Sequence, residues 1–181
     1  CYRNCWNICH SRRFELGEAM DAIQIVSGTA VPLRRADVDT DQIIPSDWLK
    51  RVERTGFEQG LFSEWRDDRT FVLNDERYND AVVLIGGPNF GTGSSREHAV
   101  WAIQQYGFQA VISPRFADIF RNNCTKNGLV PVQVSNDVGE ALLDATEANP
   151  DLVITIDVAN LTLEAPEASI ECTFPLDSAT Q

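Results

Sequence analysis

The chain has 181 residues, of which 43% are hydrophobic and 23% charged, a composition that suits one globular domain with a packed core and argues against disorder. A formal net charge of -12 argues against a nucleic-acid partner, because neutralising phosphates takes a basic face. No apolar run reaches the ~20 residues that a membrane-spanning helix needs, so a soluble protein with no membrane partner is expected.

Residues 1–19 are unlike the rest of the chain. Cys1, Cys5 and Cys9, with His10 directly after, are spaced C-x3-C-x3-C-H, which is not a standard zinc spacing and has no second ligand pair. The segment lacks the apolar stretch of a secretory signal. Met20 is the sole methionine, and organised sequence starts immediately behind it. The expectation is that residues 1–19 lie upstream of the fold and that residues 20–181 form a single domain. The other two cysteines, Cys124 and Cys172, stand alone, which fits a reducing cytoplasm.

Ile23-Gln-Ile-Val26 predicts a short strand that turns at Ser27-Gly28. Asp37, Asp39 and Asp41 then alternate. A calcium loop would need glycine at its sixth position and glutamate at its twelfth, but Gln42 and Trp48 stand there. Two readings remain: an acidic turn ahead of a helix, or a carboxylate that orients a proton in a site. Residues 46–70 interleave Trp48, Leu49, Phe57, Leu61, Phe62 and Trp65 with Lys50, Arg51 and Arg66, and Gly56 and Gly60 break any long helix. Such a stretch is either a loop that closes over a ligand or a short helix packed on the core.

Ala81-Val-Val-Leu-Ile85 reads as a strand and Ala99, Ala102, Ile103 and Tyr106 as a helix, so residues 86–96 form a glycine-rich loop between the two. A phosphate-binding P-loop would carry Gly-Lys-Ser/Thr, and no lysine is present. The dinucleotide fingerprint would carry a third glycine where Arg96 stands. What the loop does carry is Ser94-Ser95-Arg96 at a helix start, where free N–H groups and the macrodipole favour an anion and the guanidinium fork suits a carboxylate. Ser94 and Glu97 also match the S-x-x-E capping box. Both roles are compatible, since a serine oxygen among such donors sits where an alkoxide is stabilised.

Ala110–Ser113 predicts a strand and residues 115–123 a helix with Phe116, Ile119 and Phe120 on one face, ending at Asn127-Gly128. Leu129-Val130 and Val132–Val134 predict a strand interrupted by Pro131. Asp137–Ala148 predicts a helix with Val138, Ala141, Leu142 and Ala145 inward. Leu152–Ile156, Leu161–Leu163 and Ile170–Phe174 predict strands joined by tight turns. The alternation followed by a β-rich end implies an α/β sandwich with a mixed sheet.

Taken together, Asp39-Thr-Asp41-Gln-Ile-Ile-Pro, Thr55-Gly-Phe with Leu61-Phe and Trp65-Arg66, and Gly91-Thr-Gly-Ser-Ser-Arg-Glu-His98 resemble the small subunits of the isopropylmalate dehydratases. The likeness continues through Ser113-Pro-Arg-Phe116, Asp118-Ile-Phe-Arg121 and Asn127-Gly-Leu129 and covers roughly residues 20–176. These subunits are relatives of the swivelling C-terminal domain of aconitase, so the resemblance implies a swivelling β/β/α sandwich. It implies isomerisation of 2-isopropylmalate to 3-isopropylmalate, by loss and return of water, in leucine biosynthesis. Ser94 would be the base, Asp41 part of the catalytic network, and Ser95, Arg96 and Lys50 the substrate-binding groups. The [4Fe-4S] cluster would be carried by a large-subunit partner, with no metal bound by this chain. Two departures stand out: residues 1–19 have no counterpart, and the family's usual C-terminal segment is absent. The loop at residues 48–66 is the expected specificity element, with an apolar wall from Leu49, Val52 or Phe57. Related hydro-lyases acting on methylmalate, citraconate or homoaconitate, and a non-catalytic binding relative of the same fold, are the alternatives.

Overall fold

The computed structural model describes residues 25–50 and 55–176. The expectations for residues 1–19, and those for Arg51 and Val52, fall outside these residues.

Eight short strands divide into two sheets. β2 (Ala30–Leu33), β3 (Val83–Gly86), β4 (Ala110–Ser113) and β5 (Val130–Gln133) lie side by side in that order, all parallel. β1 (Ile25–Gly28), β6 (Ile154–Asp157), β7 (Thr162–Ala165) and β8 (Ile170–Thr173) form an antiparallel sheet in the order β1-β6-β7-β8. Parallel and antiparallel pairing, both expected of the chain, are thus segregated by sheet. The burial patterns follow from this. β2, β3 and β4 are buried along their whole length, as befits a parallel sheet covered on both faces. β6 and β7 alternate between buried and more exposed residues, as a sheet with one wet face does.

The parallel sheet is the middle layer. On one face, Val31, Leu33, Leu84 and Val111 pack with Ala99, Val100, Ile103, Phe116 and Phe120 from α2 (Glu97–Tyr106) and the segment entering and forming α3 (Asp118–Asn127). On the other face, Val83, Ile85, Ala110, Ile112 and Val132 pack with Leu142 and Leu143 of α4 (Asn136–Ala148) and with Val26, Ile154, Ile156 and Leu163 of the antiparallel sheet. Strands β2 to β5 are laid down in sequence, so both β-α-β crossovers run the same way, and right-handed connections put α2 and α3 on one side.

Three expectations change here. Val31-Pro-Leu33 forms a strand that the residues had not signalled, and the chain crosses from one sheet to the other over the single residue Thr29, whose carbonyl accepts from Val82 N at 3.1 Å and Val83 N at 3.3 Å. Pro131 does not interrupt its strand: β5 continues through it, opposite Val111, because β5 is an edge strand and one missing donor leaves no ladder bond unmade. On α4 the inward residues are Gly139, Leu142, Leu143 and Thr146, and Ala141 is exposed. The helix is rotated toward Gly139, where Pro114 packs closely, and its outer rim of Glu140, Asp144 and Glu147 is gathered by Arg34 at 2.7, 2.5 and 2.9 Å. These carboxylates hold the Arg34 guanidinium even more firmly protonated than usual, with hydrogen bonds from Glu147 and Asp144 the largest causes.

In the segment 46–70, Phe57, Leu61 and Phe62 are buried in the core and Trp48 and Trp65 pack against it. Short 3₁₀ turns cover Ser46–Lys50 and Phe57–Gly60. Phe57 is fully buried, edge-on to His98 at 5.3 Å and tilted against Trp101 at 5.8 Å, and its backbone N–H donates to Gln105 Oε1 at 2.9 Å. Phe57 is therefore core, not an open apolar wall for a ligand.

Candidate active site

The site grows from the carboxyl ends of β2, β3 and β4, the position where open parallel sheets form ligand crevices. The loops leaving these strands stay zipped together. Gly87 N donates to Arg35 O at 2.9 Å, Asp37 N to Pro88 O at 2.9 Å, Gly91 N to Val38 O at 2.7 Å and Thr40 N to Thr92 O at 2.9 Å. Across the other seam, Phe90 N donates to Arg115 O at 2.9 Å and Ala117 N to Phe90 O at 3.0 Å. Parallel bridges between Asp39 and Thr92 and between Phe90 and Phe116 prolong the sheet order past the strand ends. A cleft of about 200 Å³ opens beyond them, lined by Thr40, Gly91, Gly93, Ser94, Ser95, Arg96 and the first turn of α3 from Ala117 to Phe120.

The three alternating acids have separate jobs. Asp37 accepts from Asn89 Nδ2 at 2.7 Å, tying the first loop to the second. Asp39 caps the single turn α1 (Thr40–Ile43): its Oδ1 accepts from Gln42 N at 2.8 Å, and Gln42 Oε1 accepts from Asp39 N at 3.0 Å. Asp41 reaches Arg96, whose Nη1 meets Asp41 Oδ1 as an ion pair. That Nη1 is buried and has no acceptor along its N–H directions, so the contact is one of charge rather than of hydrogen-bond geometry. The side chain of Arg96 is 16% exposed and that of Asp41 55%, so the cation is held inside and its countercharge reaches water.

Ser94 does not cap the helix. The N-cap of α2 is Arg96, in extended conformation and with no side-chain cap bond. The Ser94 hydroxyl is thus not consumed by the capping box that its spacing with Glu97 suggested, and Ser94 and Ser95 are exposed in the cleft. The N-cap of α3 is Ala117, which also lacks a side-chain cap. Both N-cap residues line the cleft, so the leading N–H groups of two ten-residue helices approach it without a side chain satisfying them.

Ser94, Ser95, Arg96 and Asp41 are therefore brought together. Lys50 is not among the cleft-lining residues; it is exposed at the end of its 3₁₀ turn and pairs with Asp47 at 2.8 Å. Ile119, expected on one face with Phe116 and Phe120, parts from them: it is 54% exposed and lines the cleft, whereas Phe116 and Phe120 are buried. Within the first turn of α3, which starts later than expected at Asp118, Phe120 packs into the core and Ile119 turns to the cleft. Thr40 was not among the expected site residues. It is buried, lines the cleft and donates its hydroxyl to Ser94 O at 2.8 Å, yet a threonine between two aspartates carries no distinguishing signal in the sequence.

The described thiols offer no ligand set for an iron–sulfur cluster, which takes several clustered thiolates. Cys124 is wholly buried on α3 and Cys172 half-buried on β8, and burial pushes both thiols above their usual range. No three ligand-type side chains gather among the described residues. No helix of the described residues is long and apolar enough to cross a membrane.

The family model of the aconitase C-terminal domain matches residues 20–137, which include the parallel sheet up to β5 and all the cleft-lining loops. The chain is 60% identical over 162 residues to a 3-isopropylmalate dehydratase small subunit of Frankia alni, covering 90% of this chain and 82% of the relative. It is 54% identical over 158 residues to the protein of the same name from Rubrobacter xylanophilus, covering 87% and 80%. The crystal structure of a 3-isopropylmalate dehydratase from Methanocaldococcus jannaschii superposes with a TM-score of 0.61 at 29% identity, over 85% of this chain and 84% of that one. The chain belongs to the family of 3-isopropylmalate dehydratase small subunits.

Proposed function

We propose that this chain supplies one half of an isopropylmalate-isomerising hydro-lyase of leucine biosynthesis and acts only when joined to a large subunit. The name shared by its relatives supports a large-subunit partner. Residues 20–181 are the working domain, and the [4Fe-4S] cluster belongs to the large subunit.

In this reading the chain binds one carboxylate and moves one proton. Arg96 presents its guanidinium to a carboxylate of the substrate, with Ser95 as a second donor and the uncapped starts of α2 and α3 adding favourable partial charge. Ser94 Oγ, adjoining that carboxylate, takes the proton from the carbon next to it. Ser94 enters this step as the alkoxide and ends it as the hydroxyl. As the C–H bond breaks, a carbon–carbon double bond forms, the neighbouring C–O bond breaks, and the leaving hydroxide takes up a proton from solvent to become water. Return of water with the two positions exchanged, and of the proton from Ser94, gives the isomer. Asp41 keeps Arg96 oriented through their ion pair. Lys50, next to residues 51–54 and exposed, is the proposed outer contact for the substrate once the subunits meet.

The observation that carries the proposal is the convergence of Ser94, Ser95 and an Asp41-held Arg96 on one cleft. A Ser94→Ala variant tests it. Removing a base from an assembled site is expected to cut kcat by about 10³-fold or more, in the upper part of the roughly 10²- to 10⁴-fold range of a positioned general base. Association with the large subunit should be unchanged. Retained activity in the assembled variant would remove Ser94 from the mechanism.

A further inference from the structure

The Ser94–Ser95–Arg96 loop is held by two adjacent residues of one helical turn. Thr40 donates its hydroxyl to Ser94 O at 2.8 Å, and Asp41 pairs with Arg96. This turn is itself firmly seated. The Asp39–Gln42 box caps it, Ile43 and Ile44 are fully buried behind it, and Thr40 N donates to Thr92 O at 2.9 Å. The loop, by contrast, has little of its own to fix it: Gly91 and Gly93 both have positive φ, and Gly93, Ser94 and Ser95 are exposed. Among the described residues, the bond from Thr40 is the only hydrogen bond that Ser94 makes.

We infer that Thr40 is a positioning residue for Ser94. Its hydroxyl fixes the plane of the Ser94–Ser95 peptide, and that plane sets the direction in which Ser94 Cβ and Oγ leave the backbone. Thr40 is only 2% exposed, so its hydroxyl is committed to Ser94 O and not shared with solvent. The inference rests on Ser94 as the base proposed above: Thr40 need not touch the substrate, and it acts by keeping Oγ over the carbon that loses its proton.

The test compares Thr40→Val, which keeps the shape and removes the hydroxyl, with Thr40→Ser, which keeps the hydroxyl and removes a methyl. Ser94→Ala serves as reference, and all are assayed anaerobically with the cluster-loaded large subunit. Loss of positioning predicts kcat lower by about 10- to 100-fold in Thr40→Val, with KM within about twofold, unchanged subunit affinity and a native circular-dichroism spectrum. Thr40→Ser is expected to stay within about threefold of the parent kcat, since the donor survives. Equal kcat for Thr40→Val and the parent, with Ser94→Ala inactive, overturns the positioning role alone. Should Thr40→Val fail to fold, a folded Thr40→Ser with a kcat as low as that of Ser94→Ala overturns it too. An active Ser94→Ala overturns the assignment of the base, and the role of Thr40 with it.

Discussion

Replacing Gly91 with alanine is expected to damage the fold and the cleft together. A Cβ on Gly91 would overlap Phe120 Cγ and come within 2.5 and 2.6 Å of its Cδ1 and Cβ. Phe120 is 2% exposed and packs edge-on to Phe90 at 5.6 Å, and because its Cβ is among the atoms met, rotating the ring alone does not relieve the overlap. Relief therefore requires the first turn of α3 to move, and that turn lines the cleft. The φ of +78° at Gly91 costs an L-residue about 1–2 kcal/mol. Overpacking adds about 1–3 kcal/mol, giving about 2–5 kcal/mol in all. At about 2–4 °C per kcal/mol for a chain of this length, Tm should fall by about 4–20 °C. Gly107→Ala is the matched control, because Gly107 also has a positive φ, +123°, but nothing lies within 4 Å of its Cβ position. It should lose only the backbone contribution, about 1–2 kcal/mol. Urea unfolding of both variants measures the difference directly. Equal losses in the two would refute the steric argument against Phe120.

Asp41→Ala leaves a largely buried guanidinium at Arg96 without its countercharge. Substrate affinity should suffer more than stability: kcat/KM is expected to fall by about 10- to 100-fold for a carboxylate clamp allowed to drift. Because Asp41 is 55% exposed, the unfolding free energy should change by only about 1 kcal/mol. Steady-state kinetics and denaturant titration on one preparation separate the two, and a large stability loss with unaltered kinetics would contradict the clamp. His98 makes a prediction about pH. Its ring packs against Phe57 and Trp101, and burial holds its imidazole below the usual range, helped by Arg96 and opposed by Glu97. The unfolded chain then takes up the proton first as pH falls, so this part of the stability is complete above about pH 6.5 and is lost as pH drops through the depressed folded value. His98→Phe should flatten the decline in urea midpoint just below neutrality; an unchanged slope would exclude His98 as its source.

The strands of the parallel sheet's centre were legible because full burial leaves uninterrupted apolar runs, as in Val82-Val-Leu-Ile85 and Ala110-Val-Ile112. Helix α2 showed through its period, and the Ser94–Arg96 cluster through the elimination of commoner loops. What stayed hidden depends on partners distant in the chain. β2 is only Ala30-Val-Pro-Leu33, with a proline that weakens the strand signal, and its pairing with β3 makes it a strand. The orientation of Ile119 hinges on where α3 begins, and that is set by the bond from Ala117 N to Phe90 O across the loop seam. The hold of Thr40 on Ser94 spans 54 positions, a separation at which local pattern carries no information. The capping-box spacing at Ser94 left two roles open for the opposite reason: the local match is good, but the helix starts two residues later, with the loop held by Thr40 and Asp41.

That the chain is half of a catalytic site is tested most directly by anaerobic mixing with a cluster-loaded large subunit of a 3-isopropylmalate dehydratase. Dehydration of 3-isopropylmalate would be followed in the ultraviolet as the double bond forms. No turnover is expected with either subunit alone, and turnover in the mixture should saturate with added chain. A stable complex that leaves 3-isopropylmalate untouched would contradict the half-site assignment.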